Sequence, residues 1–172
     1  MAASSPHNHG ALSRCHEVPS RLGSWKVRGR TTPTLLAITQ VWERLFVGGL
    51  LDAERMGKEN PFDISVVISL SETAPCNIRP NVTYIHLPIE DAQAISLDQF
   101  TAIIVAIAEN IRRGKVLLHC GSGISRGPLM VAAYMHLVGY KHFDAALSEI
   151  AALRPFIAPW ATSISSVRER LR

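Results

Sequence analysis

The sequence predicts an α/β fold over residues 35–172, with a largely parallel central sheet flanked by helices. Three observations predict it. Short apolar runs of strand length alternate with stretches whose apolar residues recur at helical spacing. Glycines and prolines mark the changes from one pattern to the other. Of the 172 residues, 47% are apolar and 19% charged, a balance that suits one domain with its own core and argues against general disorder.

In chain order, "RLFVGGL" (44–50) reads as a strand entering a glycine turn, "DISVVISL" (63–70) as a buried strand, and "VTYIHLPI" (82–89) as another strand. Leu97, Phe100, Ile103, Ile104, Ile107 and Ile111 then share one helical face. Ser96 and Gln99 form a capping box at the start of that helix, and Arg112, Arg113 and Gly114 suit its end. "KVLLHC" (115–120) is a further strand. A second helix begins near Gly127 and Pro128, where a proline lacks only an N–H that would have had no partner, and stops at Gly139. "FDAALSEIAALR" (143–154), closed by Pro155, and "ATSISSVRERL" (161–171) complete the helices.

Residues 1–34 are rich in Ser, Pro, Gly, His and Arg and show no sustained apolar period, so they read as a flexible basic leader. An organelle transit peptide has the same composition, which makes import the alternative to a cytoplasmic location. His7, His9 and His16 lie in this leader with nothing nearby to complete a metal site. The net charge of +4 also originates here: Arg14, Arg21, Lys26, Arg28 and Arg30 face only Glu17, and the rest of the chain carries equal numbers of basic and acidic side chains. No basic binding face is left over, so no nucleic acid is expected as a partner. Uninterrupted apolar stretches such as Ala102–Ala108 fall well short of the roughly 18 residues of a membrane span. Cys15, Cys76 and Cys120 show neither pairing nor metal-ligand rhythm, which suits a reducing compartment where a reactive thiol survives.

The chemistry is concentrated in "LLHCGSGISRGPL" (117–129), a strand, a glycine-rich turn and a helix start. Successive backbone N–H groups in such a turn converge on an anion, and the helix N-terminus adds positive potential. The turn lacks the Gly-Lys-Ser/Thr ending of a nucleotide-binding loop. Instead Cys120 opens it and Arg126 closes it. N–H donors, a helix N-terminus and a guanidinium all favour a thiolate, and the arginine fork can grip two phosphate oxygens through a transition state. The pair reads as a nucleophile and a clamp for covalent phosphoryl transfer.

"HCGSGISRGP" resembles the His-Cys-x5-Arg signature loop of the cysteine-dependent protein tyrosine phosphatases, in particular the small dual-specificity group. The resemblance extends over most of residues 37–171: "ITQVWERLFVGGLLDA" is similar to the family's opening strand, "DISVVISLS" to its central strand, and "LRPFIAP" to the segment after its penultimate helix. It implies that Gly121, Ser122, Gly123, Ile124, Ser125 and Arg126 form the phosphate-binding loop. It also implies that Cys120 is the nucleophile and that Asp91, in "LPIEDAQAISLDQF", protonates the departing oxygen and later activates water. Glu90 and Asp98 rank behind Asp91. His119 is implied to position the loop and stabilise the thiolate, and Ser125 to shape the loop by hydrogen bonding. Tyr84, His86, Met130 and Met135 read as packing. Thiolate, arginine and aspartate cover the chemistry, so no metal or organic cofactor is expected.

Two positions depart from the family's pattern. Gly127 stands where the family usually has a Ser or Thr whose hydroxyl supports the departing thiolate, which predicts a slow second step. Trp160 stands where the family often has Asn, which puts the start of the last helix in doubt and could add an aromatic to the surface, although its simplest reading is ordinary packing. The expected function is hydrolysis of phosphotyrosine, with phosphoserine and phosphothreonine as further candidates, in a phosphorylated protein substrate. Two alternatives stay open: a phosphate-binding, pseudophosphatase-like module, and a phosphatase of a phosphoinositide, a glucan or an RNA 5′ end. "GSGIS" offers no Lys or Arg for a polyphosphorylated ligand.

Overall fold

The computed structural model describes residues 38–172. The leader read at residues 1–34, with Cys15 and its three histidines, lies outside the described residues. Five strands, β1 (Thr39–Trp42), β2 (Leu45–Gly49), β3 (Ile64–Ser69), β4 (Thr83–His86) and β5 (Lys115–Cys120), form one sheet in the order β1-β2-β5-β3-β4. β1 pairs antiparallel with β2, and every other pairing is parallel. The helices are α1 (Leu50–Met56), α2 (Leu97–Ile111), α3 (Arg126–Leu137), α4 (Phe143–Leu153) and α5 (Ala161–Arg170).

Strand alternation divides the core into two layers. Leu45, Val47, Val66, Ile68, Val116 and Leu118 pack with side chains of α2 to α5, among them Ile103, Ile107, Met130, Ile150 and Val167. Phe46, Val67 and Leu117, at the intervening positions, pack instead with Ala53 and Met56 of α1. One short helix therefore covers one face, and four helices cover the other. α3 is buried from Arg126 to Met135, as a helix crossing the centre of the larger layer must be. Truncating a fully buried side chain there, such as Met130, costs about 2–5 kcal/mol.

The helix ends follow their local signals. Gln99 N–H donates to Ser96 Oγ at 3.2 Å and Ser96 N–H donates to Gln99 Oε1 at 3.1 Å, which is the expected capping box. At the far end of α3, Gly139 has φ of 76°, with Gly139 N–H donating to His136 O and Tyr140 N–H to Met135 O, both at 3.0 Å. This is a Schellman closure, and it explains why the helix stops where it does.

β1 and α1 go beyond the elements expected from sequence. In β1 only Val41 is buried and the register shifts between Gln40 and Trp42, so no alternation develops over its four residues. α1 has seven residues and depends on Asp52, whose carboxylate accepts the Gly49 N–H at 2.9 Å.

The parallel strands β2, β3 and β5 end together at Gly49, Ser69 and Cys120. Two backbone bonds join these ends: Leu50 N–H to Gly121 O at 3.0 Å and Leu70 N–H to His119 O at 2.8 Å. The carboxyl edge of a parallel sheet is where α/β proteins place a ligand crevice.

Candidate active site

Residues 121–125 turn the chain from β5 into α3. The turn depends on Gly123 for two reasons. Its φ of 72° is left-handed, and a Cβ there would lie 2.5 Å from Gly48 O and 2.9 Å from Arg154 Nη2. The turn opens onto a cleft of about 360 Å³ that draws Asp91, Cys120, Ser122, Ile124, Ser125 and Arg126 together. Cys120 is buried and lies at its base. Gly121, His119 and Gly127 support the turn without lining the cleft. Gly121 is exposed, whereas the other two are buried.

Arg126 is 5% exposed and held from behind. Its Nη1 donates to Ile89 O at 2.6 Å and lies 3.4 Å from Leu70 O. Nε lies 3.3 Å from Asp91 Oδ1, an ion-pair distance without hydrogen-bond alignment, so Nε has no hydrogen-bond acceptor among the described residues. Glu72, which the sequence reading did not single out, joins the group: its Oε2 lies 3.7 Å from Arg126 Nη1, and its Oε1 accepts the Asp91 N–H at 3.2 Å. One buried guanidinium thus faces two half-exposed carboxylates. A planar fork in this position suits a tetrahedral dianion.

The segment carrying Asp91 is pinned by α5. Thr162 Oγ1 donates to Ala92 O at 2.7 Å, Ser163 Oγ donates to Gln93 O at 2.8 Å, and Ile95 N–H donates to Ser166 Oγ at 3.0 Å. These bonds hold Ala92 in a left-handed conformation, φ 60°, directly after Asp91. Glu90 is exposed, and Asp98 occupies the first turn of α2, where its charge suits the helix N-terminus.

His119 is fully buried, and burial lowers its pKa from 6.5 to about 4, so the ring is uncharged at neutral pH. Nδ1 lies 3.4 Å from Cys120 O, which makes it the protonated nitrogen, while Nε2 has no partner among the described residues. The ring therefore touches Cys120 only through its backbone carbonyl and brings no positive charge to the thiol. Ser125 departs from its expected part: its Oγ is buried and makes no loop-shaping hydrogen bond within the described residues. It occupies the N-cap of α3 without capping it and lines the cleft instead.

The dual specificity phosphatase catalytic domain matches residues 45–170, a stretch that runs from β2 to α5 and includes both loops. The chain belongs to this family. Tyrosine-protein phosphatase vhp-1 of Caenorhabditis elegans is 30% identical over 131 residues, covering 74% of this chain and 20% of the relative. Dual specificity protein phosphatase 15 of Homo sapiens is 26% identical over 140 residues, covering 73% and 47%. The chain spans about half or less of the length of these curated relatives. A crystal structure of DUSP15 superposes with a TM-score of 0.66 at 27% identity, covering 78% of this chain and 84% of that one.

Within this dual specificity phosphatase domain, two further residues shape the site. Arg154 lies behind the 121–125 turn, with Nη1 donating to Thr39 Oγ1 at 2.8 Å and to Val47 O at 3.3 Å. Burial lowers its pKa, while Asp52 and Cys120 act in the opposite direction. In sequence it reads only as the last residue before a terminating proline. Of the two readings of Trp160, the structure has the surface one and not ordinary packing. The residue is the N-cap of α5, its side chain is turned outward at 51% exposure, and it lines the same cleft as Cys120. Met130 and Met135 are core residues as expected. Tyr84 packs against the α1 side of the sheet, and the exposed His86 lies at 2.8 Å from Ser71 O.

Proposed function

We propose that this chain is a protein phosphatase that removes phosphate from phosphotyrosine, with phosphoserine and phosphothreonine as further substrates, through a phosphocysteine intermediate. The observation that carries the reading is the gathering of Cys120, Arg126 and Asp91 in one cleft. Cys120 Sγ attacks phosphorus, the phosphorus–oxygen bond to the leaving group breaks, and Asp91 gives that oxygen its proton. Arg126 Nε, a buried donor with no hydrogen-bond acceptor among the described residues, serves a phosphoryl oxygen once the incoming dianion shares or displaces the Asp91 carboxylate beside it. In the second step Asp91 takes a proton from water as it attacks phosphorus, the sulfur–phosphorus bond breaks, and phosphate leaves. Gly127 offers no hydroxyl to the departing thiolate, so this step limits turnover. The phosphorylated partner is a protein, and the cysteine pattern fits a cytoplasmic setting.

A second reading has one observation in its favour. Gly127 would suit a module that captures phosphorylated proteins without releasing phosphate. Rapid mixing of an aryl phosphate with the wild-type protein and with Cys120→Ser separates the two. A Cys120-dependent burst followed by slow turnover supports the phosphatase. Absence of both, with phosphopeptide binding intact, overturns it in favour of the binding module.

A further inference from the structure

We infer that Trp160 is a specificity wall that makes this cleft favour aryl phosphates, phosphotyrosine above all, over the alkyl phosphates of phosphoserine and phosphothreonine. The inference rests on the reading of the cleft as a phosphomonoester site.

Trp160 is not used as its position would suggest. Ser, Thr, Asp or Asn is preferred at a helix N-cap because a side-chain oxygen there accepts a first-turn N–H, and an indole has no such oxygen. No side-chain cap is formed in α5. The ring is 51% exposed and makes no aromatic contact with the described residues, whereas Trp42 packs against both Tyr134 and Tyr140. A large apolar surface is thus left facing the cleft.

The wall is also fixed in place. Ala158 N–H donates to Ile124 O of the phosphate loop at 2.8 Å, and Trp160 O accepts the Ile164 N–H at 2.9 Å in the first turn of α5. Pro159 stiffens the single residue between the tether and the indole. Ile124, Ala158, Pro159 and Ala161 extend the apolar lining around Trp160, apart from the polar groups Asp91, Ser122 and Arg126. A phosphoryl group that reaches the buried Cys120 therefore brings the organic part of its ester against this lining. A tyrosine ring offers a flat face for offset stacking on the indole, and a serine or threonine side chain offers only one or two carbons.

The test uses one peptide sequence carrying phosphotyrosine, phosphoserine or phosphothreonine, and the variants Trp160→Asn and Trp160→Phe. The expected result is a loss of about 10-fold in kcat/KM for the phosphotyrosine peptide in Trp160→Asn, expressed mainly in KM, with less than about 2-fold change for the other two and retention in Trp160→Phe. Equal losses for all three peptides, or an unchanged ratio between them, overturn the inference. The same peptides titrated into Cys120→Ser, with and without Trp160→Asn, read the preference without turnover. If wild type shows no Cys120-dependent hydrolysis, the phosphatase reading falls and this titration alone decides the role of Trp160.

Discussion

Asp91 Oδ1 lies 3.3 Å from Arg126 Nε, so the proton donor of the proposed reaction lies against the clamp that is to hold the phosphate. An incoming dianion must share the guanidinium with this carboxylate or displace it. Asp91→Asn removes the competing charge together with the transferable proton. Hydrolysis is expected to fall by about 100-fold or more, while inorganic phosphate binds roughly 2- to 5-fold more tightly, the modest scale of a half-exposed ion pair. Competitive inhibition by phosphate in both proteins measures this. Unchanged phosphate affinity would show that the carboxylate does not compete.

The backbone at Gly127 leaves room for a side-chain carbon. A Cβ there would lie 3.4 Å from both Leu118 O and Val47 Cγ1, which is ordinary contact. Gly127→Ser should raise the steady-state rate roughly 10-fold or more and shrink the burst. Stability should stay within about 1 kcal/mol, because serine is no worse than glycine in a helix. A steady-state rate that does not rise, with no burst in the parent, removes Gly127 as the slow step.

Gly123 is the opposite case. Gly123→Ala places a methyl group against Gly48 O and Arg154 in a left-handed backbone conformation. The cost should be at least about 2 kcal/mol in urea unfolding, with loss of phosphate binding. An alanine variant as stable as the parent would show that the loop relaxes into another conformation.

His119 gives the protein an acid-sensitive core. Its folded pKa of about 4 lies below the unfolded value of 6.5, so above pH 6.5 the ring is neutral in both states and costs nothing. As pH falls from 6.5 to 4, only the unfolded chain takes up the proton, and stability drops by about 3 kcal/mol. Urea unfolding at a series of pH values should show this slope in wild type and a flatter one in His119→Gln. Parallel slopes would assign the acid sensitivity to other groups.

The long elements were legible because they repeat a pattern. α2 carries six apolar residues on one face between a capping box and the C-cap Arg112, and β5 runs from Lys115 to Cys120 as expected. The glycine-rich turn was legible because its signal is local, with Cys120 and Arg126 at its two ends. What escaped depends on distant partners. Glu72 reaches Asp91 from across the site, and Arg154 gains its part from Thr39 and Val47, far away in the chain. Trp160 stayed between a surface and a packing reading because an aromatic beside a proline in sequence gives no sign of which way the ring turns. β1 and α1 are too short for any period to emerge.

The hydroxyls of Thr162, Ser163 and Ser166 that hold the Asp91 segment set an order of events during biosynthesis. Synthesis reaches the thiol and the arginine before the helix that carries these anchors. A nascent chain that has emerged only as far as α4 therefore has the proposed nucleophile, Cys120, while the proposed proton donor, Asp91, is still unanchored. The two halves of the chemistry come under control together only when α5 docks.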